Sequence, residues 1–249
     1  MRFKGKQLFQ VIFLYGIWIL VAPAWAGTTQ VSHSCAMYHG ANDLTALQSR
    51  QKTLLAQNPD NSFNPYCELA HINYRLAKLN PDKQNEFLNQ CVEYGKKAIQ
   101  SSQNPGTGYF LKGLCLGKLG EARGLFASLN IISPFKESMR AAIKHDPSVD
   151  DGGPHRALGR LYYKLPQLMG GNTGKSILHL EQAVRYGPGY WENYFFLAQS
   201  YYKDARYPQA KQALEQAIEL NSRIEDTPEK ELQRVEFQGL MKDIENQMH

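Results

Sequence analysis

The sequence lacks the patterns of a β-sheet protein and the motifs of common enzymes. No run alternates apolar and polar residues with a period of two, which argues against strands. It contains no H-E-x-x-H and no G-x-S-x-G motif, and its seven histidines are scattered without pairs at helical spacing. We therefore expect an all-α protein that is not an enzyme.

Cysteine is scarce, with only Cys35, Cys67, Cys91 and Cys115 present. They lack the C-x2-C spacing of a zinc module, so we expect neither a metal nor another cofactor. In an exported protein an even number of cysteines indicates disulfides. Cys35 and Cys67 are the disulfide candidates, because Cys35 lies in a segment that needs tethering. Alternatively, Cys91 and Cys115 are small buried helix residues.

Long apolar runs are confined to the N-terminus. Arg2, Lys4 and Lys6 precede the apolar run 8–21, and Ala24-Trp25-Ala26 offers a cleavage site. This pattern predicts a secretory signal at 1–26, cleaved after Ala26, and a periplasmic protein. A membrane anchor through residues 8–22 is the alternative, but the run is shorter than the ~20 residues that span a bilayer.

Net charge is also small once the leader is set aside. The formal charge of +5 falls to +2 without the three basic residues of the leader. Such a balance argues against nucleic acid as a partner. Residues 27–40 are polar and aperiodic, so they are expected to form a flexible arm, followed by a helical domain at 41–249.

What the chain does contain is a recurring helical pattern. One copy runs Tyr194-x2-Leu197-Ala198-x2-Tyr201, continuing to Ala210-x3-Leu214-x2-Ala217, and another begins at His155-x2-Leu158-Gly159. Large residues at steps of three, four and seven fill one helix face, and small residues mark close helix contacts. The pattern resembles the tetratricopeptide repeat, a unit that needs stacked neighbours to bury its apolar face.

Four helix pairs are expected, with a helix at each end. The matched alanines Ala98, Ala142, Ala183 and Ala217 lie 44, 41 and 34 residues apart, so only the last repeat has regular length. Asp43-Leu44 opens the first flanking helix, and Thr227-Pro228 starts the last, which runs to about Met248. The prediction is a tetratricopeptide-like solenoid.

Residues 170–176 (GGNTGKS) superficially resemble a phosphate-binding loop. The P-loop requires a glycine where Met169 stands and a strand before it, and neither is present. A glycine-rich turn with Asn172 or Thr173 capping the next helix is the better interpretation.

The apolar insertion 124–134 has two interpretations. It is unusually apolar for a loop, so it could cover a groove as a lid or make an oligomer contact. Alternatively, it extends a helix and packs on neighbouring repeats.

The helical step of 100° predicts which residues face the groove of the stack. They lie one, five, eight and nine positions after the aromatic slot that opens each repeat. The predicted groove residues are Cys67, His71, Tyr74, Arg75, Phe110, Leu114, Lys118, Arg156, Arg160, Tyr163, Lys164, Phe195, Gln199, Tyr202 and Lys203. Aromatic surface beside positive charge suits a carboxylate or an acidic peptide, with Arg156 and Arg160 converging on one anion. Exposed helix faces also carry such residues without binding anything.

A closer resemblance lies between residues 139 and 188. Met139-x2-Ala142-x3-Asp146-Pro147 leads into Gly152-Gly153-Pro154-His155-Arg156-Ala157-Leu158-Gly159, followed by Pro166 and Gly170-Gly171. Over roughly 60–222 the chain resembles the T component associated with tripartite ATP-independent periplasmic (TRAP) transporters. That resemblance implies an exported helical-repeat protein that associates with a solute-binding subunit, holds a hydrophobic or organic-acid ligand, and forms oligomers. Family members are often lipoproteins, but the residues before Cys35 do not form a lipid-modification site.

Two functions follow from these expectations. The first is a periplasmic protein-interaction scaffold that binds another envelope protein through its concave groove. The second is an auxiliary carrier of a small anionic or hydrophobic molecule that works with a TRAP-type transporter.

Overall fold

The computed structural model describes residues 43–57, 63–102, 105–124, 129–224 and 228–248. The predicted leader and arm lie outside these ranges. The described residues form α-helices and two short 3-10 turns, with no strand among them. The helices are α1 (Leu44–Ala56), α2 (Phe63–Leu79), α3 (Gln84–Gln100), α4 (Gly106–Arg123), α5 (Leu129–His145), α6 (Val149–Lys164), α7 (Thr173–Tyr186), α8 (Trp191–Lys203), α9 (Tyr207–Ser222) and α10 (Pro228–Met248). None of these helices combines the length and apolar composition needed to cross a bilayer.

Consecutive helices pack into pairs, as the repeat pattern predicts. The pairs are α2 with α3, α4 with α5, α6 with α7, and α8 with α9, while α1 flanks α2 and α10 flanks α9. The first helices of successive pairs also contact one another, from α2 to α4, α4 to α6, and α6 to α8. We call the side that these four helices line the inner side, and the side of α3, α5, α7 and α9 the outer side. The predicted all-α helical-repeat fold is confirmed.

Small residues sit where helices approach most closely. The matched alanines Ala98, Ala142, Ala183 and Ala217 are all fully buried. A Cβ atom at Gly159 would lie 2.5 Å from Cγ of Leu180 on the paired helix. Because no larger residue fits there, the alanine and glycine positions of the repeat set the distance between helices.

Helix ends follow the capping chemistry of the sequence. Asp43 accepts a hydrogen bond from the Ala46 amide at 3.0 Å, and Asn172 accepts one from the Lys175 amide at 2.7 Å. Gly170 adopts a left-handed conformation with φ 90°, which favours glycine. A 3-10 turn, rather than a strand, precedes this segment. The capped glycine-rich turn is therefore the correct interpretation.

The described part of the apolar insertion belongs to a helix. Residues 129–134 form the first turns of α5, and Ile131 packs into the core with 7 % of its surface exposed. Leu129 is exposed. Residues 125–128 lie outside the described ranges. Of the two interpretations, the described part matches the helix extension.

Two of the cysteines join consecutive helix pairs. Cys91 on α3 forms a disulfide with Cys115 on α4, and both are fully buried. Their sequence interpretation as small buried residues is thus incomplete. Cys67 is fully buried and also disulfide-bonded. Cys35 lies outside the described residues, so its pairing with Cys67 stays a prediction.

Candidate functional site

The predicted groove residues divide according to their position along each helix. The predicted residues one position after the aromatic slot of each repeat are all buried. They are Cys67, Phe110, Arg156 and Phe195. Phe110 is 1 % exposed and belongs to the core, which contradicts its predicted place in the groove. The physical reason is that the first helices of successive pairs contact one another, and Phe110 packs in a core cluster with Val149 and Leu158 of α6.

Residues further along the same helices are more accessible. His71 is buried beside the Tyr74 ring, with ring centroids 6.3 Å apart. The remaining predicted residues are half-buried or exposed: Tyr74, Arg75, Leu114, Lys118, Arg160, Tyr163, Lys164, Gln199, Tyr202 and Lys203. Tyr202 packs against Tyr207 of α9 at 5.8 Å. The predicted set is therefore not one continuous surface.

Part of the set meets in a pocket of about 330 Å³ on the inner side. It is formed by α6, α8 and α10. The lining residues are Arg160, Tyr163, Lys164, Trp191, Glu192, Phe195, Phe196, Gln199, Ser200, Gln233 and Glu236. Five of them were predicted from the sequence, namely Arg160, Tyr163, Lys164, Phe195 and Gln199. The others were missed.

Aromatic packing connects α10 to this pocket. The Phe237 ring lies edge-on to Trp191 at 5.5 Å and to Phe195 at 5.1 Å. These contacts place Gln233 and Glu236 of α10 beside the residues of α8. The sequence pattern predicts α10 only as a flanking helix at the end of the stack. The sequence did contain an indication that α10 packs on α8. Phe237 lies one turn after Gln233, and a large aromatic side chain in a helix needs a partner that buries it.

Arg160 is the uncommitted cation of the pocket. Its guanidinium lies over the Phe196 ring, 4.0 Å from the centroid. Among the described residues it forms no ion pair. A guanidinium held against an aromatic face keeps its N–H donors available, and its planar fork matches a carboxylate. Arg160 is therefore the pocket residue best suited to an anionic group.

The neighbouring lysines have partners within the protein. Lys164 pairs with Glu121 of α4 at 2.8 Å. Lys203 donates a hydrogen bond to the Tyr163 carbonyl at 2.7 Å and lies 4.5 Å from the centre of the Tyr163 ring. Burial alone would raise the pKa of the Glu121 carboxyl, but hydrogen bonds from Lys118 and Lys164 lower it to about 2. This carboxylate therefore holds Lys164 across the ordinary pH range.

Arg156, by contrast, is held in a buried polar network. Its guanidinium donates to the Asp150 carboxylate and carbonyl, and to the Asn193 side-chain oxygen at 3.1 Å. It also stacks on the Tyr190 ring at 4.3 Å, and its Nε lies 3.6 Å from a Glu192 oxygen. With these partners it cannot converge with Arg160 on one ligand. This placement disagrees with the prediction that Arg156 binds an anion in the groove.

The network fixes an unusual turn at the start of α6. Asp150, Asp151 and Gly152 all have positive φ values of 52°, 52° and 78°. Two of them are not glycine, and such conformations persist only where the surroundings hold them. Arg156 donates to the carbonyls of Asp150 and Asp151, while the Asn193 amide donates to the Asp151 carbonyl at 2.9 Å. The arginine of the G-G-P-H-R segment is thus a structural clamp.

Tyr74 on the inner side has a raised pKa. Burial, together with the charges of Glu192, Glu121 and Asp150, raises the pKa of Tyr74 to about 12, although the charge of Arg75 opposes this shift. Tyr74 on α2 therefore senses carboxylates on α4, α6 and α8. It stays neutral and offers a hydroxyl rather than a phenolate.

The described residues offer no built metal site. Within the ranges that the structure covers, no three or more His, Cys, Asp and Glu side chains are grouped so that they could hold a metal ion. The pocket instead combines aromatic rings, amides and charged groups. Such a lining binds through apolar contact and a few charged hydrogen bonds.

Residues 124–238 match the family described as TRAP transporter T-component. No curated protein matches the chain. Among solved structures, the one titled "Crystal structure of MamA" aligns with 71 % of this chain and 87 % of its own, at 18 % identity and a TM-score of 0.44.

The family match covers α5 to α9 and part of α10, and so includes the network and every helix of the pocket. It also includes residues 139–188, where the sequence resemblance was most specific. The chain is a tetratricopeptide-like helical-repeat protein that resembles the T component of TRAP transporters, as the sequence predicts.

Proposed function

We propose that this chain is an exported, non-enzymatic interaction scaffold of a TRAP-type transport system. Its pocket on the inner side would bind a segment of another envelope protein, with the solute-binding subunit as the first candidate. The observation that carries the proposal is the environment of Arg160, a cation that lies against Phe196 and forms no ion pair among the described residues. The family match supports the connection to TRAP transport.

The lining favours a peptide segment that combines an apolar side chain with an acidic group. Trp191, Phe195 and Phe196 supply aromatic surface, and Arg160 supplies donors for a carboxylate. Glu192 is within 3.6 Å of Arg156, which offsets part of its charge. Glu236 on α10 remains exposed at the opposite wall and can accept an amide or ammonium donor from the same segment.

The test is direct binding between the purified chain and the solute-binding subunit of a TRAP-type transporter, measured by isothermal titration calorimetry. Arg160→Ala removes the uncommitted cation and should weaken binding by about 1.5–3 kcal/mol, the range for a charge-assisted hydrogen bond. Arg185→Ala is the matched control, because Arg185 is exposed on the outer helix α7. Equal affinities of the Arg160→Ala and Arg185→Ala variants would contradict the role of the pocket.

A small-molecule carrier is the second candidate, and the pocket volume favours it. About 330 Å³ lies at the lower end of the 300–1,000 Å³ typical of small-ligand pockets. Native mass spectrometry of the chain isolated from its own envelope would separate the two functions. A bound organic acid that is lost in Arg160→Ala supports a carrier. An empty pocket together with Arg160-dependent binding of the solute-binding subunit supports a scaffold.

A further inference from the structure

A second group of cations lies on the outer side, away from the pocket. Lys136 and Arg140 belong to α5, and Lys175 belongs to α7. The ammonium groups of Lys136 and Lys175 both lie over the ring of Tyr162, at 5.1 and 5.7 Å from its centroid. Two helices that flank α6 therefore direct positive charge to the same aromatic residue.

His179 of α7 lies within this group. Its imidazole stacks on the Tyr162 ring with centroids 5.6 Å apart and an interplanar angle of 13°. Its Nδ1 faces Nδ1 of His155 at 3.1 Å. Since one nitrogen must donate and the other accept, this contact holds a single proton between the two rings.

The carboxylates on α5 and α7 form no ion pair with these cations among the described residues. Among the described residues, Lys136, Arg140 and Lys175 form no ion pair. Glu137, the nearest acidic residue on α5, accepts a hydrogen bond from Ser133 at 3.4 Å. On α7, Glu181 accepts from the Tyr201 hydroxyl of α8 at 2.8 Å.

Burial lowers the pKa of His179, and the nearby positive charges of Arg140 and Lys175 lower it further. Burial and the neighbouring His179 lower the pKa of His155 to about 4. Tyr186 covers the other side of His155, with ring centroids 5.7 Å apart. The site is partly buried, and its cations lower the tendency of His179 to take up a proton because no ion pair among the described residues neutralises them.

We propose that Lys136, Arg140, Lys175 and His179 form a binding site for a small, multiply charged oxyanion. The ligand class is sulfate, phosphate or a small polycarboxylate. The three cations would neutralise its charge, and His179 would take up a proton and donate it to a ligand oxygen. This site is separate from the pocket of Arg160, so either one can be correct without the other.

Proton uptake sets the pH dependence. Because the anion stabilises the protonated imidazole, it raises the pKa of His179 relative to the free protein. By linkage, affinity rises as pH falls between these two pKa values and levels off below the lower one. A purely electrostatic surface effect of lysine and arginine would be nearly independent of pH in this range, since both remain charged.

The experiment titrates the full chain with sodium sulfate at constant ionic strength, maintained with sodium chloride. Sulfate keeps its charge between about pH 5 and 8, so any pH dependence belongs to the protein. Imidazole resonances of the histidines are followed by NMR, and a thermal shift is recorded in parallel. We expect saturable binding that strengthens on acidification and an upward shift of the His179 pKa.

Variants distinguish sulfate binding at a specific site from a general effect of ions on the protein surface. Lys136→Ala with Lys175→Ala should weaken sulfate binding about ten- to hundredfold. The matched control, Lys96→Ala with Lys211→Ala, removes two lysines that pair with Glu93 and Glu245 elsewhere, and should leave binding unchanged. His179→Gln should keep weaker binding but lose its pH dependence.

Three results would overturn the proposal. The first is a linear, non-saturating response that is equal in both double variants. The second is binding whose pH dependence survives in His179→Gln. The third is attachment to vesicles of anionic lipid without any response to free sulfate, which would make the surface a membrane contact instead. Circular dichroism of each variant establishes that its helices are intact before these outcomes are scored.

Discussion

The first and second halves of the stack join consecutive helix pairs by different means. Between the first two pairs, the Cys91–Cys115 disulfide connects α3 to α4. Between the last two, the connection is polar, because Arg156 and Asn193 link the start of α6 to α8 and to the end of α7. A disulfide needs an oxidising compartment, whereas a buried polar network needs every member to be paired.

The Asn193 side chain shows how completely the polar connection is satisfied. Its amide nitrogen lies 2.9 Å from the Gly187 carbonyl and 3.0 Å from the Ala183 carbonyl, and its oxygen accepts from Arg156. No buried side-chain nitrogen or oxygen among the described residues lacks a hydrogen-bond partner. Such a network is sensitive to truncation, because removing one member leaves the others buried without a partner.

The largest expected effect comes from breaking this polar connection. Arg156→Ala leaves the Asp150 carboxylate buried without its guanidinium, and both side chains are only 9 % exposed. Removing one partner of a buried ion pair costs about 3–5 kcal/mol. Urea denaturation followed by circular dichroism measures the loss in the free energy of unfolding.

Arg185→Ala serves as the control for that measurement. Its side chain is exposed on α7, so its replacement should change the free energy of unfolding by less than about 0.5 kcal/mol. If Arg156→Ala were no more destabilising than this control, the clamp at the start of α6 would be wrong. Addition of a reductant should leave the difference between the two variants unchanged.

Breaking the covalent connection should have the next largest effect. Cys91→Ser with Cys115→Ser opens a loop of 24 residues and should cost about 2–4 kcal/mol. In a repeat stack, the loss should concentrate in the helices next to the removed contact. Hydrogen exchange should therefore speed up in α3 and α4 more than in α7 and α8.

The result for Arg156→Ala should be the reverse. Faster exchange should appear in α6, α7 and α8, with α3 changed less. If both variants loosened all helices equally, the stack would unfold as one cooperative unit and the two connections would not act locally. A reductant should reproduce the effect of the double serine variant on wild-type protein, because it breaks the same bond.

The sequence predicts packing better than it predicts exposure. The alanines from Ala98 to Ala217 and the caps at Asp43 and Asn172 depend on spacing and local hydrogen bonds, and the structure confirms them. Phe110 and Arg156 were placed in the groove by the helical step alone. A single-helix periodicity carries no information on contacts between the first helices of successive pairs. Phe110 of α4 packs with residues of α6, and Arg156 of α6 bonds to Asn193 of α8.

The pocket was predictable only in part for a related reason. Arg160 and Tyr163 follow from the periodicity of α6. Gln233 and Glu236 depend on where α10 crosses the last pair, and that placement is set by Phe237 packing on Trp191 and Phe195. The residue pattern of one helix does not predict which helices distant in sequence it contacts.

The smallest expected effect on stability belongs to Arg160, one turn from Arg156 on the same helix. Its guanidinium lies over Phe196 and has no carboxylate partner among the described residues. Arg160→Ala should therefore lower the free energy of unfolding by no more than about 0.5–1 kcal/mol, the value of an exposed cation–π contact. Arg160→Lys keeps the positive charge but loses the planar fork. Denaturation curves for both variants, recorded beside Arg156→Ala, would show whether two arginines four residues apart serve separate purposes. A loss in Arg160→Ala as large as that in Arg156→Ala would mean that both arginines are structural, and the pocket would then lack an uncommitted cation.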